Sequence, residues 1–110
     1  MIVKKSFRFV LKPEWETAVR EGRKTIDVRP NAERYADVKV GDTIHYASTE
    51  VTVTGIRAYN GLTDLVHHED YRNAVPEAKS ADEALRKLHG VGLHDIPPHG
   101  VLAFEVAFVK

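Results

Sequence analysis

Gly22-Arg23-Lys24-Thr25-Ile26-Asp27-Val28-Arg29 joins the end of a helix to a strand, and its alternation sets the reading of the rest of the chain. Ile26 and Val28 point one way while Thr25, Asp27 and Arg29 point the other, the period-two pattern of a half-buried strand that Pro30 closes. Upstream, Pro13 suits the first turn of a helix, Glu14 and Glu16 lie near its positive end, and Trp15, Ala18 and Val19 share a face before Gly22 ends it. Before that helix, Val3 to Leu11 places Phe7, Phe9 and Leu11 on one side and Arg8, Val10 and Lys12 on the other, which predicts a strand.

Downstream, Asn31 to Asp37 is polar and reads as a loop, and Gly41-Asp42 turns the chain into a strand over Thr43 to Ala47. Glu50 to Tyr59 alternates Val51 and Val53 with Thr52 and Thr54, and Gly55 marks a bulge within it. Leu62, Leu65 and Val66 predict a short helix capped by Thr63 that fades by Tyr71. Ser80-Ala81-Asp82-Glu83 is a capping-box pattern, so a helix follows with Leu85 and Leu88 inward and Gly90 as its terminator. Val91 to Gly100 reads as a loop, and Val101 to Val109 as an apolar central strand that closes the sheet. The order β, α, β, β, β, α, α, β fits a small α+β domain whose curled sheet is plugged by helices.

At 110 residues the chain supports one core, so a single domain over 1–110 is expected. Hydrophobic residues at 43% and charged residues at 29% are those of a folded globular protein. The absence of cysteine excludes disulfides and thiolate chemistry and points to a reducing compartment, the cytoplasm. Met1 to Val10 has no unbroken apolar stretch of the kind a signal peptide needs, and no run is long enough to span a bilayer, so no membrane partner is expected. Net charge is zero, which argues against coating nucleic acid by bulk electrostatics. The charge is nonetheless uneven: residues 1–39 hold ten Lys/Arg against six Asp/Glu, and the remainder reverses that balance.

The polar face of residues 22–29 is where chemistry is expected. Arg29 can grip a phosphate or carboxylate with two prongs, Asp27 can accept from an exocyclic amine, and Lys24 is read as a mobile positive charge. The plainer alternative is a solvated strand face with an Asp27–Arg29 ion pair of little energetic weight. Lys12 precedes a helix start that favours anions, and Tyr59, beside Asn60-Gly61 at a strand end, can stack on a base. Trp15 is read as buried under the first helix, and Tyr46 and Tyr71 as packing residues. His89, His94 and His99 with Asp95, and the pair His67-His68, match no standard zinc spacing, so neither a metal nor another cofactor is expected.

Leu11-Lys12-Pro13-Glu14-Trp15, the segment from Gly22 to Arg29, and Val38-Lys39-Val40-Gly41-Asp42 together resemble the ASCH domain family, and Gly100 to Val106 continues the likeness in the same order. The resemblance implies a small PUA-like β-barrel of about five to six mostly antiparallel strands with two to three flanking helices, and a cleft for RNA or a nucleotide or nucleoside. Ligand contacts are then expected from Lys12, Lys24, Thr25, Asp27, Arg29 and Tyr59. Similarity to the family's small bacterial acetylcytidine amidohydrolases implies an alternative, a hydrolase acting on an acetylated nucleoside or on RNA. Their catalytic lysine matches Lys24 and their glutamate falls near Glu77. Their threonine nucleophile is replaced by Asp27, which can act as a base toward water, hold an amine, or do neither, and Thr25 is left as the nearest hydroxyl.

Overall fold

A computed structural model of the chain describes residues 3–94 and 98–110. Among these residues the elements run β1 (Ser6–Arg8), α1 (Pro13–Arg20), β2 (Ile26–Pro30), α2 (Glu33–Ala36), β3 (Thr43–Tyr46), β4 (Thr49–Tyr59), α3 (Leu62–His68), α4 (Tyr71–Ala74), α5 (Ala81–Gly90) and β5 (Val101–Phe108). The strands form one mixed sheet in the order β1-β3-β4-β5-β2, curled into a half-barrel. β1 runs parallel to β3, and the other three pairings are antiparallel. The expected α+β fold is therefore present, its five-stranded mixed sheet forming a half-barrel.

Both faces of the sheet are covered, which explains why β5 reads as an almost continuous apolar run: Val101 to Phe104 are all buried. On one face Ile26, Val28 and Ala103 meet Trp15, Leu62, Leu65 and Leu88 from the helices. On the other, Phe9, Ile44, Tyr46, Val51, Val53 and Phe104 fill the inside of the barrel. Gly55 sits at the register shift that follows Val53, so the long β4 bends there as its sequence suggests. Gly100 enters β5 at φ +80°, where an added Cβ would collide with the Tyr59 carbonyl.

The local differences from the sequence reading have physical causes. The strand expected over Val3 to Leu11 is only Ser6–Arg8; the Phe9 N–H still reaches the His45 carbonyl, after which the chain leaves the sheet for α1. Residues 31–37, read as a loop, contain the helical turn Glu33–Ala36, because the Ala32 carbonyl accepts from the Tyr35 and Ala36 N–H groups. α3 starts one residue before Thr63, with Gly61 at its cap, and Asp70 caps a further turn, α4. Five helices thus stand where two to three were expected, the two extra ones being single turns of four residues. No helix among the described residues is long and apolar enough to cross a membrane.

α5 begins as its capping box predicts, with Ser80 Oγ accepting from the Glu83 N–H at 3.1 Å. Ser80→Ala is expected to cost about 1 kcal/mol, read as a lower urea midpoint with an unchanged slope.

Candidate functional site

β1 and β2 are the two free edges of the half-barrel, and a cleft of about 250 Å³ opens beside them. Its wall includes Lys12, Trp15, Lys24, Asp27, Arg29 and Tyr35, and its lips are apolar at Val10 and Val91, 84% and 45% exposed.

Trp15 stands at the start of α1, where Pro13 begins the helix, and its ring is buried against the helical core. Its indole Nε1 donates to both carboxylate oxygens of Glu77 at 3.0 and 3.1 Å. Two ammonium groups approach the ring, Lys12 Nζ at 4.4 Å and Lys24 Nζ at 4.5 Å from its centre. Lys12 also lies 3.7 Å from Glu77. Burial works against the charge on Glu77, but its own backbone N–H, the Trp15 indole and Lys12 outweigh it and hold the carboxyl below the usual range.

Lys24 is only 2% exposed. Its Nζ donates to the Ile26 carbonyl at 2.7 Å and to the Ala74 carbonyl. Burial lowers its pKa to about 8 from 10.5, and the nearby Asp27 carboxylate limits the fall. Positive φ at Gly22, +78°, lets the chain leave α1 and swing Lys24 under the sheet edge.

Asp27 and Arg29 share the β2 face opposite Ile26 and Val28, and that face looks into the barrel end. The Asp27 carboxylate, 2% exposed, accepts from Arg29 Nε at 2.9 Å, from Arg29 Nη2 at 3.2 Å and from the Tyr46 hydroxyl at 2.6 Å. Burial first, then Asp27, pushes the Tyr46 phenol far above its usual range, so it is a fixed donor. Arg29 Nη2 also donates to the Val10 carbonyl at 2.8 Å, and its guanidinium lies 4.9 Å from the Phe9 ring centre. This one side chain therefore ties β2 to the chain leaving β1, across the open side of the sheet. Nη1 is the arm of the fork that neither Asp27 nor Val10 occupies.

Of the residues singled out from sequence, Lys12, Lys24, Asp27 and Arg29 line the same cleft. Glu77 touches it through Trp15 and Lys12. Thr25 and Tyr59 are not in its wall. Thr25 is held by its backbone, its N–H donating to Asn73 and its carbonyl accepting from Val106. Tyr59 packs at the helical core, its hydroxyl donating to Glu69 and its ring stacked 5.7 Å from His68. Trp15, assigned to burial, is both buried and part of the wall, and Tyr46, assigned to packing, also orders Asp27. Tyr35 was missed; it is the only aromatic residue within the polar run 31–37, and that is the signal its sequence carries. Among the described residues no group of three or more His, Asp or Glu side chains could hold a metal; Asp95 lies outside them.

Three cations, Lys12, Lys24 and Arg29, thus meet Asp27 and Glu77 around a wall that contains two aromatic rings. Such a site offers stacking area, a fork for an acidic group, and a residual positive charge.

A family model described as "ASCH domain" matches residues 10–99. Among solved structures, the crystal structure of hypothetical protein PH0355 is similar with a TM-score of 0.86 and 26% identity, over 96% of this chain and 99% of that one. The solution NMR structure of protein PF0455 from Pyrococcus furiosus is similar with a TM-score of 0.79 and 24% identity, over 96% and 98%. No curated protein matches the chain.

Proposed function

The chain belongs to the ASCH domain family, and on that footing we propose that its cleft binds one nucleotide unit, either within RNA or as the free nucleotide. The family is generally thought to bind RNA, which fixes the ligand class to be tested. The observation that carries the reading is the gathering of Lys12, Lys24 and the Arg29 fork around Trp15 in a cleft of about 250 Å³. That volume lies just below the usual range of ligand pockets, which run from roughly 300 Å³ upward, so it suits no more than one nucleoside-sized unit. Lys12 and Arg29 are the groups that would meet a phosphate. Asp27 has about four acceptor positions, of which three are taken, leaving one for an exocyclic amine.

Hydrolysis of an acetylated nucleoside or of RNA has less support. Glu77 is held by the Trp15 indole and lies beside Lys12, and the Thr25 hydroxyl lies outside the cleft wall. Release of acetate from acetylcytidine, or of fragments from RNA, would reverse that preference.

The test of binding is a thermal-shift and calorimetric titration with nucleosides and their monophosphates. Monophosphates are expected to raise the melting temperature and nucleosides to do so less, and Lys12→Ala to weaken the monophosphate about tenfold. If neither class of ligand stabilises the protein, the cleft is not a nucleotide site.

A further inference from the structure

Outside the cleft, a cation is held in place with no acid paired to it among the described residues. Arg34, on the α2 turn, is exposed, yet its guanidinium lies 5.7 Å from the Phe9 ring centre and 5.5 Å from that of Tyr35. Its Nη2 donates to the Arg8 carbonyl at 3.2 Å. Arg29 uses the same two rings, at 4.9 and 5.8 Å, so the two guanidinium carbons are within about 11 Å of each other. Asp27 balances Arg29, whereas no carboxylate among the described residues pairs with Arg34. Arg34 therefore leaves an unpaired positive charge at this aromatic pair, and an anion beside it is favoured.

We propose that Arg34, held on the Arg8 carbonyl, forms a phosphate subsite beyond the cleft, and that the ligand is therefore a single strand of at least two linked nucleotides. The inference rests on the nucleotide reading of the cleft. Tyr35 joins the two places, because its ring belongs to the cleft wall and carries both guanidiniums. A strand that sends one base into the cleft carries its adjoining phosphate past this ring to Arg34. A guanidinium fork already fixed by stacking and by the Arg8 carbonyl meets phosphate oxygens with little further loss of freedom. Lys4 and Arg8 are exposed and make no ion pair among the described residues, so the positive face continues along β1. Of the acids on the α2 turn, Asp37 is paired with Lys5 at 3.4 Å, and Glu33 is the one that works against an anion.

Two probes separate the subsite from the cleft: the four nucleoside monophosphates, and a single-stranded RNA hexamer of randomised sequence. The wild type is expected to bind the hexamer at least about tenfold more tightly than any monophosphate. Arg34→Ala removes most of that gain and lowers the salt slope of hexamer binding by about one, and Arg34→Ala with Arg8→Ala removes more. Both variants keep the monophosphate affinity, which also shows that they are folded. A hexamer that binds no more tightly than a monophosphate, or an equal loss for both probes on Arg34→Ala, overturns the subsite and leaves the cleft reading standing. A wild type that binds neither probe overturns both.

Discussion

Asp27→Ala is expected to destabilise the protein by about 3–5 kcal/mol, the range for breaking a buried ion pair from one side. The carboxylate it removes is the one acid paired with Arg29 among the described residues, the Arg29 side chain being 13% exposed, and it is the acceptor for the Tyr46 hydroxyl, in a residue 1% exposed. Both groups would be left desolvated and unmatched. The damage is not confined to one strand, since Arg29 also bridges to the Val10 carbonyl and packs on Phe9, and so holds the two sheet edges together. Urea unfolding of Asp27→Ala, Arg29→Met and the double variant reads the effect. The double variant should recover most of the stability lost by Asp27→Ala, because neither charge then remains buried, yet it should not recover nucleotide binding. A loss under about 1 kcal/mol for Asp27→Ala is what a solvated surface pair would give, and it would mean that the pair does not hold the two sheet edges together.

The sequence alone carries most of this architecture and only part of the site. Alternation in Ile26-Asp27-Val28-Arg29 places the two pairs of side chains on opposite faces. It does not say that the polar face turns inward, because a buried polar face and a solvated one have the same period. What decides between them is Tyr46, nineteen positions away, whose hydroxyl completes the Asp27 shell. Lys24 was legible as a cation but not as a buried one; the Ala74 carbonyl that holds it is fifty residues distant. Tyr59 shows the opposite failure. An aromatic residue at a strand end suits base stacking locally, but Glu69 captures its hydroxyl and the ring packs against the helical core, outside the cleft wall. The capping box at Ser80 and the bulge at Gly55 were readable because each is set by residues within a few positions of itself.

Lys24 makes the second large effect one of pH. Burial lowers its folded-state pKa to about 8, against 10.5 in a solvated chain. Between these values the unfolded chain holds the proton and the folded chain does not, so stability rises as pH rises from about 8 toward 10.5. Below about 8 the ammonium is charged in both states and folding carries the whole burial penalty. The span corresponds to about 3 kcal/mol, and other groups titrating in this window cancel when the wild type is compared with Lys24→Met. The stability difference between the two, measured by urea unfolding, should therefore shift in favour of the wild type as the solution is made more alkaline. Binding runs the other way. An anionic ligand in the cleft favours the charged amine, so above pH 8 it must draw in a proton, and monophosphate affinity should fall by up to about tenfold per pH unit. Lys24→Met should bind weakly and without that slope. Equal pH profiles for the two proteins, in stability and in binding alike, would mean that the amine is solvated and does not face the ligand.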